Sequence, residues 1–157
     1  MFSGKTSIPS GEIRVNGESF AENKTAYFSQ LGISFFDDGL YERLTVMDHF
    51  KFFSGLYETD QTIDQTLQMT RLQEKKNRKI KDLTFSERKR VQYGRLIMQN
   101  PALFIFEEPN LNVDVETKRV FINITKKLHK IGKAILVLTG NMESAIMIAD
   151  EVFRYRI

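Results

Sequence analysis

The sequence has no cysteine and no tryptophan, and only three prolines and two histidines in 157 residues. Without cysteine, disulfides and thiolate metal sites are excluded, which fits a reducing compartment. His49 and His129 each fall on an expected helix with no partner in register, so neither a hydrolytic triad nor a histidine metal site is supported. No apolar run approaches the roughly 20 residues that a membrane span needs. The first residues, MFSGKTSIPSGEI, lack the apolar stretch of a signal peptide. The expected location is cytoplasmic, with no direct membrane insertion. Charge of one sign is also scarce: the formal net charge of +3 is too small to point to a partner.

What is present is ordinary for a soluble globular protein, with 41% apolar and 27% charged residues. The length predicts one domain over residues 1–157, large enough to bury a core. GEIRVNG at residues 11–17 alternates and closes on Asn16-Gly17, a short strand running into a tight turn. Residues 25–36 read as a second strand leaving into the loop Asp37-Asp38-Gly39. Thr45 caps a helix, VMDHFKFFSGLY, whose Phe50, Phe53 and Tyr57 recur at helical spacing as core or subunit interface. Helices follow over 62–72 and 86–99, the latter with Ser86 as N-cap and Glu87 close to the positive end of its dipole. ALFIF at 102–106 is apolar throughout, as expected of a strand covered on both faces. A long helix over 114–131 stops at Gly132. AILVL at 134–138 reads as a second fully buried strand, and a helix over 142–149 and a strand over 152–155 complete the chain. Strands alternating with helices argue a largely parallel, helix-covered sheet.

Residues 83–114 carry the most information. A basic turn opens a helix, Asn100-Pro101 ends it, and the apolar run that follows finishes on two carboxylates, Glu107 and Glu108. Carboxylates at the C-terminal edge of a buried parallel strand stand where open α/β sheets bind ligands. Just upstream, residues 75–90 hold eight Lys or Arg against two acidic residues. With only Phe85 among them, a stacking platform for single strands is not expected. The run reads as a solvated helix end and loop, with phosphate contact as the alternative.

Taken in order, these segments resemble the ATP-binding domain of ABC transporters along nearly the whole chain. GEIRVNG matches the strand and turn that precede the Q-loop in that family. Asp37-Asp38-Gly39-Leu40-Tyr41 with Leu44-Thr45-Val46 resembles the pattern after the Q-loop glutamine. Residues 83–87 stand where the LSGGQ signature would be, with Arg90 and Arg95 on its downstream arginines. Residues 102–109 resemble the Walker B strand and its DEP, Asp114 matches the D-loop aspartate, and residues 141–145 resemble the helix after the switch histidine. Each motif is degenerate, but the order and gaps together are specific. The resemblance implies a P-loop-NTPase-like α/β fold in three layers, with a mainly parallel sheet and a helical subdomain over about 45–100, missing the P-loop strand.

The departures from the family pattern carry the functional expectation. A P-loop needs a strand, then GxxxxGK[ST], then a helix whose N-terminal amides cradle phosphate. Gly4-Lys5-Thr6 is preceded by only three residues and followed by Pro9 and Gly11, which fits the end of that helix and not its start. The Walker A lysine is therefore expected to be absent from this sequence. Phe36 stands at the Q-loop glutamine and Gly140 at the switch histidine. Thr84, Phe85, Ser86 and Glu87 replace SGGQ, putting a ring and a hydroxyl where glycines allow close approach to phosphate. Glu107 replaces the Walker B aspartate on the candidate Mg²⁺ side, its extra methylene shifting the carboxylate from octahedral geometry. Glu108 matches the catalytic glutamate, the candidate general base. Charge-assisted hydrogen bonds contribute roughly 1.5–3 kcal/mol each. Losing a lysine and several amides removes more than about 5 kcal/mol, turning a micromolar site into one of roughly ten millimolar.

The expected function is a degenerate, non-hydrolytic cassette acting through a protein partner or homodimer, as a regulatory or interaction module that reaches DNA only through a further domain. No cofactor is then expected to bind tightly. The alternative is the ATPase subunit of a transporter, truncated here, which would use ATP and Mg²⁺ and a membrane subunit. Direct nucleic-acid binding through residues 75–90 is the third reading.

Overall fold

The computed structural model describes residues 11–36, 39–57, 59–146 and 149–154. The segment Gly4-Lys5-Thr6 and the pair Asp37-Asp38 lie outside these residues.

β1 (Arg14–Val15) and β2 (Glu18–Ser19) pair antiparallel around Asn16-Gly17. Both turn residues have positive φ, 50° and 81°, the conformation that a two-residue hairpin requires and that Asn-Gly tolerates. The next segment departs from the strand read over 25–36. Asn23 accepts a hydrogen bond from the Ala26 amide and starts α1 (Lys24–Ser29), and only then does β3 (Leu31–Ser34) begin. The Asx cap outweighs the strand preference of Tyr27 and Phe28.

Three helices follow. α2 (Val46–Ser54) is capped by Thr45 as expected, and α3 (Ile63–Thr70) opens with a capping box between Thr62 and Gln65. α4 (Phe85–Gln99) is capped two residues earlier than expected, by Thr84 in place of Ser86, and Thr84 pairs reciprocally with Glu87. Phe50, Leu67, Leu72, Ile80, Val91 and Met98 form the core of this helical part. Gly94 sits where α4 meets α2: a Cβ there would fall 2.4 Å from the Phe50 ring.

β4 (Leu103–Glu107) is the central strand of a parallel sheet of order β3-β4-β5, with β5 spanning Ala134–Leu138. α5 (Val115–Lys130) lies between β4 and β5 in the chain and is capped by Asp114. It packs with α4 over the face carrying Phe104 and Phe106, against Tyr93, Val120, Phe121 and Ile124. Towards β3, Val15, Tyr27 and Leu31 form a smaller cluster with Leu103 and Ile33 packed on it. α6 (Met142–Ile146) follows β5.

Two further expectations are corrected. β5 is not fully buried: its three middle residues are half-buried and both ends exposed, since among the described residues it pairs with β4 alone. Of the strand expected over 152–155, residues 152–154 form none and join neither sheet, with Val152 and Phe153 exposed, so no apolar burial holds them in a ladder; residue 155 lies outside the described residues.

Candidate functional site

The parallel register brings the C-terminal ends of β3, β4 and β5 side by side, with Ser34 level with Phe106 and Glu107 level with Leu138. Phe36, Glu107, Glu108 and Gly140 therefore meet, although more than 100 residues separate the first from the last. Glu107 Oε2 accepts a hydrogen bond from the Phe36 amide at 3.1 Å. Glu108 is held more tightly: Oε1 accepts from the Gly140 amide at 2.6 Å and Oε2 from the Thr139 hydroxyl at 2.9 Å. Its own amide donates to Leu138 O at 2.8 Å, and its φ of 43° lies in the left-handed region, where a glutamate is strained.

The main-chain amides at the two altered motif positions thus take up the two carboxylates. Thr139 was not singled out by sequence reasoning. The signal available was a hydroxyl directly after an apolar strand whose parallel neighbour ends in carboxylates.

The second cluster lies at the N-termini of α4 and α5. Thr84 Oγ1 accepts from the Glu87 amide at 3.2 Å, and the Glu87 carboxylate accepts from the Thr84 amide at 2.9 Å. Ser86 does not cap its own helix. Its hydroxyl accepts from the Asp114 amide at 2.9 Å, and its carbonyl accepts from the Thr117 hydroxyl at 3.4 Å. Asp114 in turn caps α5 through the Thr117 amide at 2.7 Å. Burial alone would raise the Glu87 carboxyl, but the Thr84 amide and the Lys75 ammonium, 3.1 Å away, outweigh it and hold the group below its ordinary value. Asp114 is likewise held down, the Thr117 hydrogen bonds overcoming its desolvation.

The basic run over residues 75–90 is not simply solvated. Arg90 is 4% exposed and bridges Arg71 O at 3.2 Å and Glu116 at 2.8 Å. Lys89 is 1% exposed, donates to Phe35 O at 2.7 Å and lies over the rings of Phe36 and Phe85, 5.5 and 5.9 Å from their centroids. Arg88 pairs with Glu42, and Arg95 lies over the Phe53 ring at 5.6 Å. Lys76, Arg78, Lys79 and Lys81 are exposed as expected. An open cleft of about 670 Å³ lies between these helix ends, with both signs of charge on its walls: Arg71, Lys75 and Arg90 against Glu87, Asp114 and Glu116.

A Mg²⁺–triphosphate fits these residues poorly. Both Glu108 oxygens and one from Glu107 already accept hydrogen bonds, and Phe36 offers a ring where the family pattern has a metal ligand. Among the described residues no group of three or more His, Asp or Glu could hold a metal ion. The rings of Phe36 and Phe85 lie 5.9 Å apart, placing apolar surface beside the carboxylates.

The fold and the strand-end carboxylates define an ATP-binding cassette of the P-loop-NTPase-like class, and the comparisons agree. The chain belongs to the ABC transporter family, whose profile matches residues 1–111. It is 27% identical to the maltose/maltodextrin import ATP-binding protein MalK of Mannheimia succiniciproducens, over 97% of this chain and 42% of that protein. It is 24% identical to the linearmycin resistance ATP-binding protein LnrL of Bacillus subtilis, over 97% of this chain and 50% of that one. The chain thus spans about half the length, or less, of these relatives. Among solved structures, an ATP-binding subunit of an ABC transporter superposes with a TM-score of 0.83 at 21% identity, covering 94% of this chain and 63% of that one. A dimeric ATP-binding cassette bound to ADP and Pi superposes at 0.73 and 20% identity, covering 87% and 66%. No helix among the described residues is long and apolar enough to cross a membrane.

Proposed function

We propose that this cassette is non-hydrolytic and acts through protein contacts, as a single-domain regulatory or interaction module in the cytoplasm. One observation carries the reading: Glu107 and Glu108 are occupied by the main-chain amides of Phe36 and Gly140 and by the Thr139 hydroxyl. A general base must accept a proton from a water placed within hydrogen-bond reach. Glu108 would have to give up two short hydrogen bonds to do so, with no cradle of amides among the described residues to orient phosphate. Phosphoryl transfer depends almost wholly on positioning and charge stabilisation, so a carboxylate alone accomplishes little. The polar network around Thr84, Ser86, Glu87 and Asp114 then serves to join α4 to α5. Contact with DNA, in this reading, comes through a further domain.

The second reading, an ATPase subunit working with a membrane subunit, is favoured by the match to import ATP-binding proteins along 97% of this chain. In it Glu108 is the base, Glu107 lies on the Mg²⁺ side, and ATP is the cofactor. Titration with a fluorescent ATP analogue and Mg²⁺ separates the two. Absence of saturation through the low millimolar range supports the first, whereas tight saturable binding lost on Glu107→Ala supports the second.

A further inference from the structure

α4 is laid along β3 residue by residue. Gln99 donates to Leu31 O at 2.7 Å, a Cβ on Gly32 would fall 3.2 Å from Leu96, and the buried Ser34 hydroxyl donates to Gln92 at 2.7 Å. Lys89 donates to Phe35 O at 2.7 Å, and the ring of Phe85 lies 5.9 Å from that of Phe36. Residues 85, 89, 92, 96 and 99 recur at helical spacing, so one stripe of α4 follows β3 from its start into the loop beyond its end. There the main chain meets a second grip, this one from the sheet: Glu107 of β4 accepts from the Phe36 amide at 3.1 Å.

The two grips act on one group. Phe35 O and Phe36 N–H belong to a single planar peptide unit, negative at its oxygen and positive at its amide hydrogen. Lys89 brings a cation to the first and Glu107 an anion to the second, so each polarises the peptide in the sense that strengthens the other bond. Lys89 is 1% exposed, whereas Phe35 and Phe36 are 42% and 38% exposed. Their half-open rings give the peptide little packing to hold it, and the charged grips set its position.

We infer that the Phe35–Phe36 peptide is a strap closed over Glu107, with Lys89 as the positioning residue that keeps it closed. Closed, as in this structure, it occupies Glu107 Oε2 and ties α4 to the end of β4. With either grip lost it swings free, uncovering that oxygen and loosening the other grip. The coupling is reciprocal, because both side chains act through the same peptide. The strap needs no nucleotide and does not depend on the non-hydrolytic reading.

Amide hydrogen exchange, followed by NMR on the full chain without nucleotide, tests the strap. Lys89→Met keeps the buried stem and removes the charge, and exchange of the Phe36 amide should then rise at least about tenfold. The Glu108 amide, which donates to Leu138 O at 2.8 Å at the same end of the sheet, should change by less than about twofold. Glu107→Gln keeps an acceptor without the charge and probes the opposite direction. In that variant Lys89 should react at least about tenfold faster with an amine-acylating reagent, measured against the exposed Lys76 of the same chain. Equal rises at Phe36 and Glu108 in Lys89→Met would mean a general loosening of the fold. Unchanged Phe36 exchange in Lys89→Met, or unchanged Lys89 reactivity in Glu107→Gln, would mean that the two grips are independent. Any of these three results overturns the inference.

Discussion

The N-termini of α4 and α5 and the C-terminal end of β4 use the same chemistry for different ends. At the helix termini, Thr84, Ser86, Glu87 and Asp114 satisfy amides that would otherwise lack partners and fasten one helix to the other. At the strand end, Glu107 and Glu108 accept from the loops after β3 and β5. In the first region the residues at the signature and D-loop positions hold the two helix ends together. In the second, the main-chain amides of Phe36 and Gly140 donate to the two carboxylates, and on the proposed reading these contacts fasten loops. The difference separates what the fold needs from what hydrolysis needs.

The largest expected effect is at Arg90, whose buried guanidinium ties α3's end to α5. Arg90→Ala should cost about 2–4 kcal/mol in urea unfolding, since it breaks two charge-assisted bonds and opens a cavity. Glu116→Gln, at the exposed side of the same pair, should cost under about 1 kcal/mol. Equal losses from the two would mean that Arg90 acts only as a surface charge.

Arg90 also shows where the sequence stops being legible. Its position in a basic run reads as solvated, and its acceptor Glu116 lies 26 residues away. Lys89 is hidden for the same reason, with its acceptor 54 residues distant. Local signals fared better: the Asn16-Gly17 turn and the cap at Thr45 are set by neighbouring residues and read correctly, and the helices read from Thr62 and Asp114 begin one residue later, with those two residues as their caps. Thr84 and Ser86 are both competent caps, and the Glu three residues after Thr84 was the signal that decides between them. β4 and β5 read alike as apolar runs, but their burial depends on neighbours that a run cannot specify. For the site, the order of motifs located Glu107, Glu108, Phe36 and Gly140, while the amide-to-carboxylate bonds between them needed the sheet register.

Next in size, Thr84→Ala and Ser86→Ala should each destabilise by about 1 kcal/mol, the first through the lost cap and the second through the lost link to α5. Their double mutant should be less than additive, because the sites adjoin. Strict additivity would show that the two hydroxyls serve separate structures.

Glu108→Gln leaves one acceptor for two donors, and should cost about 0.5–1.5 kcal/mol by thermal unfolding. A stabilising effect would show instead that Glu108 is held under strain for a reaction. The smallest effect is on acid stability. Glu87 and Asp114 have folded values below their ordinary 4.5 and 3.8, so the stability they give is complete above that range and lost as pH falls through and below it. The urea midpoint should be level from about pH 7 to 5 and drop at lower pH, less steeply in Glu87→Gln. A midpoint that drops equally in that variant would assign the loss to other carboxylates.

Isothermal titration of the chain with ATP and Mg²⁺ meets the central claim head-on. Occupied carboxylates and an unsupported phosphate tail predict no saturable heat up to roughly millimolar nucleotide. A one-to-one isotherm in the micromolar range, abolished by Glu107→Ala, would contradict it.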